Sequence, residues 1–397
     1  MKSGAAHLPP IDGLRGLAAI LVWWLHVWQI TWLPATLVLF GTAYNFNVLP
    51  EDGMVGVDLF FFISGFCLFH PYVRSRFDGS PWQPLGTYAL RRAFKILPSY
   101  WLAVAVPLAL GGLAVYPSPW AAARDVGLHV LFVHNWFPDT LGSINGVLWT
   151  LAVEVQFYVV FPLLVRPALA RPALVYGGAF AIAIAYRALV YHVPGDRDRL
   201  IFLYEQLPGE IDFFAAGMLA AHAFGYVGSR RPDLARRTTE WTAIGILGFA
   251  AFALLLQHGF VTRRDVDWPM GWLVKWRTAF ALSYVVLTVG TLFAATPLRR
   301  IVANPLFTFA SAISYNAYLW HQEVAYTLRQ HRIPPWAGAT PQGDPRWQVA
   351  FTAVAVAAGV AVATLVTYGF ERPIVRIGRG IGWLSIRSRS AEYRGRT

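Results

Sequence analysis

Side chains that move protons or hold anions stand at five places inside runs otherwise apolar enough for a membrane. In IDGLRGLAAILVWWLHVW, Arg15 and His26 are eleven residues apart, which on a helix is about 1100° of rotation, close to three whole turns. Both therefore leave one face, with the histidine roughly 16 Å deeper. An imidazole near the midplane suits proton transfer, and an arginine below it suits steering an anion. The alternative is a snorkelling arginine and a histidine that only bonds a neighbouring helix.

In GVDLFFFISGFCL, Asp58 stands near the start of an apolar helix, and Ser64 and Gly65 lie about two turns on. Either Asp58 is a dipole partner, or it meets His26 and fixes the imidazole tautomer. Ser64 contacts substrate, or with Gly65 makes a close helix crossing. RRAFKILPSYW places Arg91, Arg92 and Lys95 on one helical edge. A positive-inside loop supplies cations, yet three in one turn beside an entry proline suit a phosphate-rich ligand.

WTLAVEVQFYVVFPLL sets Glu154 deep in an apolar run, with Tyr158 one turn away on the same face and Gln156 between them. A buried carboxylate needs a partner or a proton, so Glu154 reads as functional. SAISYNAYLWHQE spaces Ser314, Tyr318 and His321 as i, i+4, i+7, with Glu323 two residues on. That stripe is part of a site, or a set of structural hydrogen bonds between helices. No HxxxH or Cys/His spacing forms a metal site, and neither a GxSxG elbow nor a Walker loop occurs.

The elements that must position these groups are membrane helices. Of the 397 residues, 56% are hydrophobic and 14% charged, well below the quarter charged that a soluble domain carries. Ten apolar runs of spanning length lie near 14–33, 54–72, 95–115, 147–165, 172–190, 208–226, 240–258, 272–294, 307–328 and 348–370. A broken stretch near 122–137 reads as interfacial. With the N-terminus inside, alternate segments hold 21 Lys and Arg on the cytoplasmic side and eight outside, which predicts an all-α polytopic protein with both termini cytoplasmic. The net charge of +12 sits in these short loops, so it reads as topology and not as a nucleic-acid groove. The single cysteine, Cys67, builds neither a disulfide nor a cysteine-ligated zinc site. The first run lacks a small-residue cleavage site and reads as a retained helix. Residues 1–375 make one membrane domain, and 376–397 a short basic tail.

Together these segments resemble the acyltransferase-3 family of membrane O-acyltransferases, from Asp12 to about Arg372. The family's arginine–ten residues–histidine pattern is matched by Arg15 and His26, and its FFxxSG by Phe61, Phe62, Ser64 and Gly65. The basic motif before Pro-x-Tyr is matched by Arg91, Arg92, Pro98 and Tyr100, with Lys95 in place of a third arginine. Trp149, Thr150, Leu151 and Glu154 match its Trp-Ser-Leu-x-x-Glu, with threonine for serine, and Ser314, Tyr315, Tyr318 and His321 match the late motif.

The resemblance implies an acyl-CoA co-substrate, most commonly acetyl-CoA, with no permanently bound cofactor. It also implies a glycan, glycolipid or glycosylated small molecule as acceptor, in a bacterial inner membrane. Arg15, Arg91, Arg92 and Lys95 would bind the donor. Ser64, Trp149, Tyr158 and Tyr318 would contact substrate, and His26, Asp58, Glu154 and His321 would serve catalysis. His26 acts as general base, or alternatively as an acylated nucleophile. A transporter or flippase for an anionic or lipid-linked glycan precursor also fits buried His, Glu and Arg, although no inverted pair of broken helices supports it.

Overall fold

A computed structural model describes residues 8–263 and 269–378. Ten long helices carry the fold among these residues: α1 Pro9–Thr31, α2 Val55–Phe77, α3 Leu85–Ala109, α4 Leu148–Ala170, α5 Pro172–Tyr191, α6 Leu207–Arg230, α7 Thr238–Thr262, α8 Arg277–Phe293, α9 Pro305–Gln330 and α10 Pro345–Leu365. Five of them open with proline in the first turn, where the missing N–H costs nothing and the fixed φ suits a helix. Two helices start five or more residues before their apolar runs. α1 begins at the Pro9–Pro10 pair, with Asp12 in its first turn, and α3 begins at Leu85, which brings Arg91 and Arg92 onto the helix itself.

Seven helical segments among the described residues are long and apolar enough to cross a membrane: α2, α4, α5, α6, α7, α8 with the turn before it (Val274–Phe293), and α10 with its continuation (Pro345–Gly378). The other three, α1, α3 and α9, carry Arg15 with His26, the Arg91–Lys95 cluster and the Ser314–His321 stripe. Those polar groups dilute the apolar content of the helices that hold them.

The close crossings use small residues. A Cβ on Gly65 would lie 2.1 Å from the Phe214 carbonyl oxygen, and one on Gly217 would lie 1.8 Å from that of Phe62. α2 and α6 thus touch backbone to backbone, as helices without a hydrophobic driving force between them require. Around the crossing, Phe61, Phe62, Phe157, Phe213 and Phe214 form the core, with Phe157 and Phe214 stacked at 4.0 Å.

The departure from helix is an exposed antiparallel hairpin between α1 and α2, Thr36–Leu39 with Thr42–Asn45. Its two-residue turn places Phe40 at φ 51° and Gly41 at φ 80°, the left-handed pair that a tight hairpin turn demands. The stretch expected at the interface forms a twelve-residue helix, Pro119–Val130, capped by Ser118, too short to cross. Of the basic tail expected at 376–397, residues 379–397 lie outside the described residues.

Candidate active site

A cavity of about 740 Å³ runs between α1, α2, α3, α4 and α9. Arg91, Arg92 and Lys95 all line it, as does Arg15. Their shared edge follows from the helical register of α3, which now begins upstream of them. The three cations are not equivalent. Lys95 is held by Glu371 beyond α10, 2.5 Å away, and its ammonium lies 5.2 Å from the Tyr315 ring centre. Glu371 in turn accepts from Asn316 on α9 at 2.7 Å. Arg92 leans over the Tyr158 ring at 5.7 Å, and Arg91 is exposed. Neither arginine forms a salt bridge among the described residues, so both stay available to an anion. Arg15 reaches Asp12 at 3.3 Å and the Cys67 Sγ at 3.3 Å.

Deeper in the cavity, Glu154 is half-buried and its Oε1 gathers two donors. Ser64 donates to it at 2.7 Å, and the Tyr158 hydroxyl donates to it from the next turn of α4. Tyr318 on α9 bridges to Thr150 at 2.7 Å and stands edge-on to Phe60 at 5.8 Å. The structure therefore joins Ser64, Glu154, Tyr158 and Tyr318 around one space, and Thr150 completes it where the family pattern has serine. Ser314 also lines the cavity. Trp149 lies elsewhere, 9% exposed within the main apolar cluster. Gln156 braces the segment before α4 by donating to Phe132 O at 2.9 Å and Asn135 Oδ1 at 2.8 Å.

His26 and His321 meet one turn beyond Tyr318. His26 Nδ1 and His321 Nε2 are 2.9 Å apart, with ring centres 4.8 Å apart. His321 is buried and His26 only partly so. Neither lines the cavity, which ends below them at Tyr318 and Thr150.

The expectation that Asp58 orients His26 is corrected. Asp58 accepts from Arg277 at 2.8 Å, and Arg277 also binds Glu210 at 2.7 Å. Beside this pair, fully buried Arg187 donates to both oxygens of Asp212 at 2.9 and 2.7 Å, and Thr278 donates to Asp212 at 2.8 Å. A buried carboxylate takes the cation that desolvation makes it need, and a neutral imidazole cannot compete. Three carboxylates thus share two guanidiniums between α2, α5, α6 and α8. Sequence reasoning passed over Arg187, Glu210, Asp212 and Arg277, although opposite charges on separate apolar runs were the available signal. In the loop before α6, burial pushes the Glu205 carboxyl up to about 7, against the pull of Arg277.

The fold and site are those of a polytopic helical membrane protein whose cavity has basic side chains at one end and a hydrogen-bonded carboxylate further in. The family model described as an acyltransferase domain, of the acyltransferase-3 type, matches residues 9–368, and the chain belongs to that family.

A Staphylococcus aureus (strain COL) protein named "Putative O-acetyltransferase SACOL0978" is 24% identical over 352 residues, covering 82% of this chain and 52% of the relative. The O-acetyltransferase OatA of Staphylococcus aureus (strain NCTC 8325 / PS 47) is 23% identical over 344 residues, with the same coverage. The chain spans about half the length of these curated relatives. No solved structure matches it.

Proposed function

We propose that this protein is an O-acetyltransferase that moves the acyl group of acetyl-CoA to a hydroxyl of a glycan, glycolipid or glycosylated small molecule. It does so in the bacterial inner membrane, through ten spans with both termini cytoplasmic. The observation that carries this reading is the cavity. It links two arginines that form no salt bridge among the described residues to the Ser64–Glu154–Tyr158 hydrogen bonds, and it ends at Tyr318, one turn from His321 of the His26–His321 pair. Arg91 and Arg92 hold coenzyme phosphates at the mouth, where planar forked donors match phosphate oxygens. Lys95 is a latch on Glu371 and contributes to the field at the mouth more than to direct contact. The pantetheine arm follows the cavity past Arg15 and Ser64.

At the inner end, a neutral His26 takes the proton of the acceptor hydroxyl as that oxygen attacks the thioester carbonyl. The carbon–sulfur bond breaks, and the proton passes from His26 to the departing thiolate. A positioned imidazole contributes about 10²–10⁴ in rate. Tyr318 and Thr150 stand where the two substrates meet. The family match favours transfer chemistry over transport of a glycan precursor.

The test is purified protein in nanodiscs with acetyl-labelled acetyl-CoA and extracted surface glycans. Thiol release with label appearing on glycan is expected, and abolished in His26→Ala. Wild-type turnover by a folded His26→Ala protein rejects the proposed base.

A further inference from the structure

Two histidines share one contact, and the carbonyls around them decide which nitrogens carry hydrogen. His321 Nδ1 lies 2.9 Å from Ala317 O and 2.8 Å from Tyr318 O. A carbonyl oxygen only accepts, so that nitrogen is an N–H donor. In the neutral ring, Nε2 of His321 is then a bare acceptor. It faces His26 Nδ1 at 2.9 Å, so His26 Nδ1 must donate. The second neighbour of His26 Nδ1 agrees, because Val22 O lies 3.0 Å away and also needs a donor. Both contacts are met by one assignment, with hydrogen on the Nδ1 of each ring. The opposite assignment would set carbonyl oxygens against lone pairs at three places.

What remains is His26 Nε2. It has no protein partner among the described residues, and it is absent from the buried atoms left unpaired. The ring is only partly buried, so this nitrogen opens to the space beside α1. We infer that His321 is the positioning residue that fixes the tautomer of His26 and so presents Nε2 as the proton acceptor for the attacking hydroxyl. The inference rests on the proposed general-base role of His26. α9 thus acts on the reaction through its backbone: the carbonyls of Ala317 and Tyr318 set His321, and His321 sets His26.

The late motif also ties the donor cavity to the base, since Tyr318 supplies one of those carbonyls while its hydroxyl bonds Thr150 at the cavity end. When Nε2 accepts the hydroxyl proton, His26 becomes a cation with two donors. Its Nδ1–H stays on the His321 lone pair, and nothing else need move. A wrong tautomer leaves a triad-type site with its geometry intact and its rate largely lost.

Two amides separate this relay from a packing role. A glutamine at 321 can place its carbonyl oxygen near the former Nε2 and accept from His26. An asparagine reaches only to the position of Nδ1 and leaves His26 without an acceptor. In full-length protein in nanodiscs, checked for monodispersity, His321→Asn is expected to lower kcat for acetyl transfer by about 10²-fold, the lower end of general-base effects. KM for acetyl-CoA should stay unchanged, and His321→Gln should retain most of kcat. Equal kcat in the Asn and Gln variants, or a loss appearing in KM alone, overturns the relay. His26→Ala in the same assay separates the layers. If it is inactive while Asn and Gln behave alike, the base stands and the relay fails; if it is active, the base reading itself fails. Ring-¹⁵N spectra of wild type minus His26→Ala give a second readout. Hydrogen on Nδ1 of His26 is expected, and hydrogen on Nε2 rejects the proposal.

Discussion

Ser64 Oγ donates to Glu154 Oε1 at 2.7 Å across ninety residues of chain, while its neighbour Gly65 lets α2 touch α6. The Ser-Gly pair therefore does two jobs on two faces of one helix. The glycine sets how close the helices come, and the serine turns a half-buried carboxylate into a fixed acceptor within the cavity. Glu154→Gln is expected to lower kcat by about 10²-fold if this preorganised carboxylate acts on the reacting centre. Ser64→Ala should cost roughly tenfold, as for one hydrogen bond to a charged group. Initial rates at saturating acetyl-CoA measure both, and an unchanged kcat in Glu154→Gln would remove the carboxylate from the mechanism.

Arg91 and Arg92 line the cavity and form no salt bridge among the described residues. Their double alanine variant should raise KM for acetyl-CoA at least about tenfold, since one charged hydrogen bond is worth about 1.5–3 kcal/mol. Binding by calorimetry should weaken in parallel. Unaltered affinity would leave the cluster as a determinant of topology alone.

Arg187 and Asp212 are fully buried and paired through both terminal guanidinium nitrogens. Arg187→Ala strands a buried carboxylate and should destabilise the protein by about 3–5 kcal/mol. Arg187→Met with Asp212→Leu should recover part of that loss, because two apolar groups need no partner. Thermal unfolding followed by fluorescence-detected size exclusion tells these apart. A double variant less stable than the single one would mean that Asp212 matters chiefly through Thr278.

Glu205 supplies a pH signature. Its folded-state value near 7 lies above the ordinary 4.5, so the folded protein binds a proton that the unfolded chain has already lost between those limits. Its contribution is present below about 4.5 and lost as pH rises through 7. Thermal stability in detergent should therefore fall from pH 5 towards pH 8 in the wild type, and Glu205→Gln should flatten that fall. Identical slopes would place the proton elsewhere.

The proposed ten-span topology puts the loop around Asp196 outside and the tail after Arg379 inside. In a background lacking Cys67, single cysteines at the two places should react with an impermeant maleimide from opposite sides of sealed vesicles. Labelling of both from one side would break the alternation.

Length, apolar runs and loop charges made the helical membrane frame legible, because a span must satisfy its own backbone and be long enough to cross. Local spacing also set the edge of Arg91, Arg92 and Lys95, and the common face of Glu154 and Tyr158, since three or four residues make one helical turn. Spacing within a helix says nothing about what faces it from another. Sequence leaves Asp58 either a dipole partner or a partner of His26; only the packing of α2 against α6 and α8 shows that Arg277 takes the carboxylate. His321 and His26 are 295 residues apart, and their contact exists because α1 packs along α9. Glu371 lies one residue past the last apolar run, and only the fold beyond α10 brings it back to Lys95. A lone sequence gives the period of each helix but not its rotation against its neighbours. That rotation is settled by close packing of small residues and by the pairing of buried charges, which depend on the whole bundle.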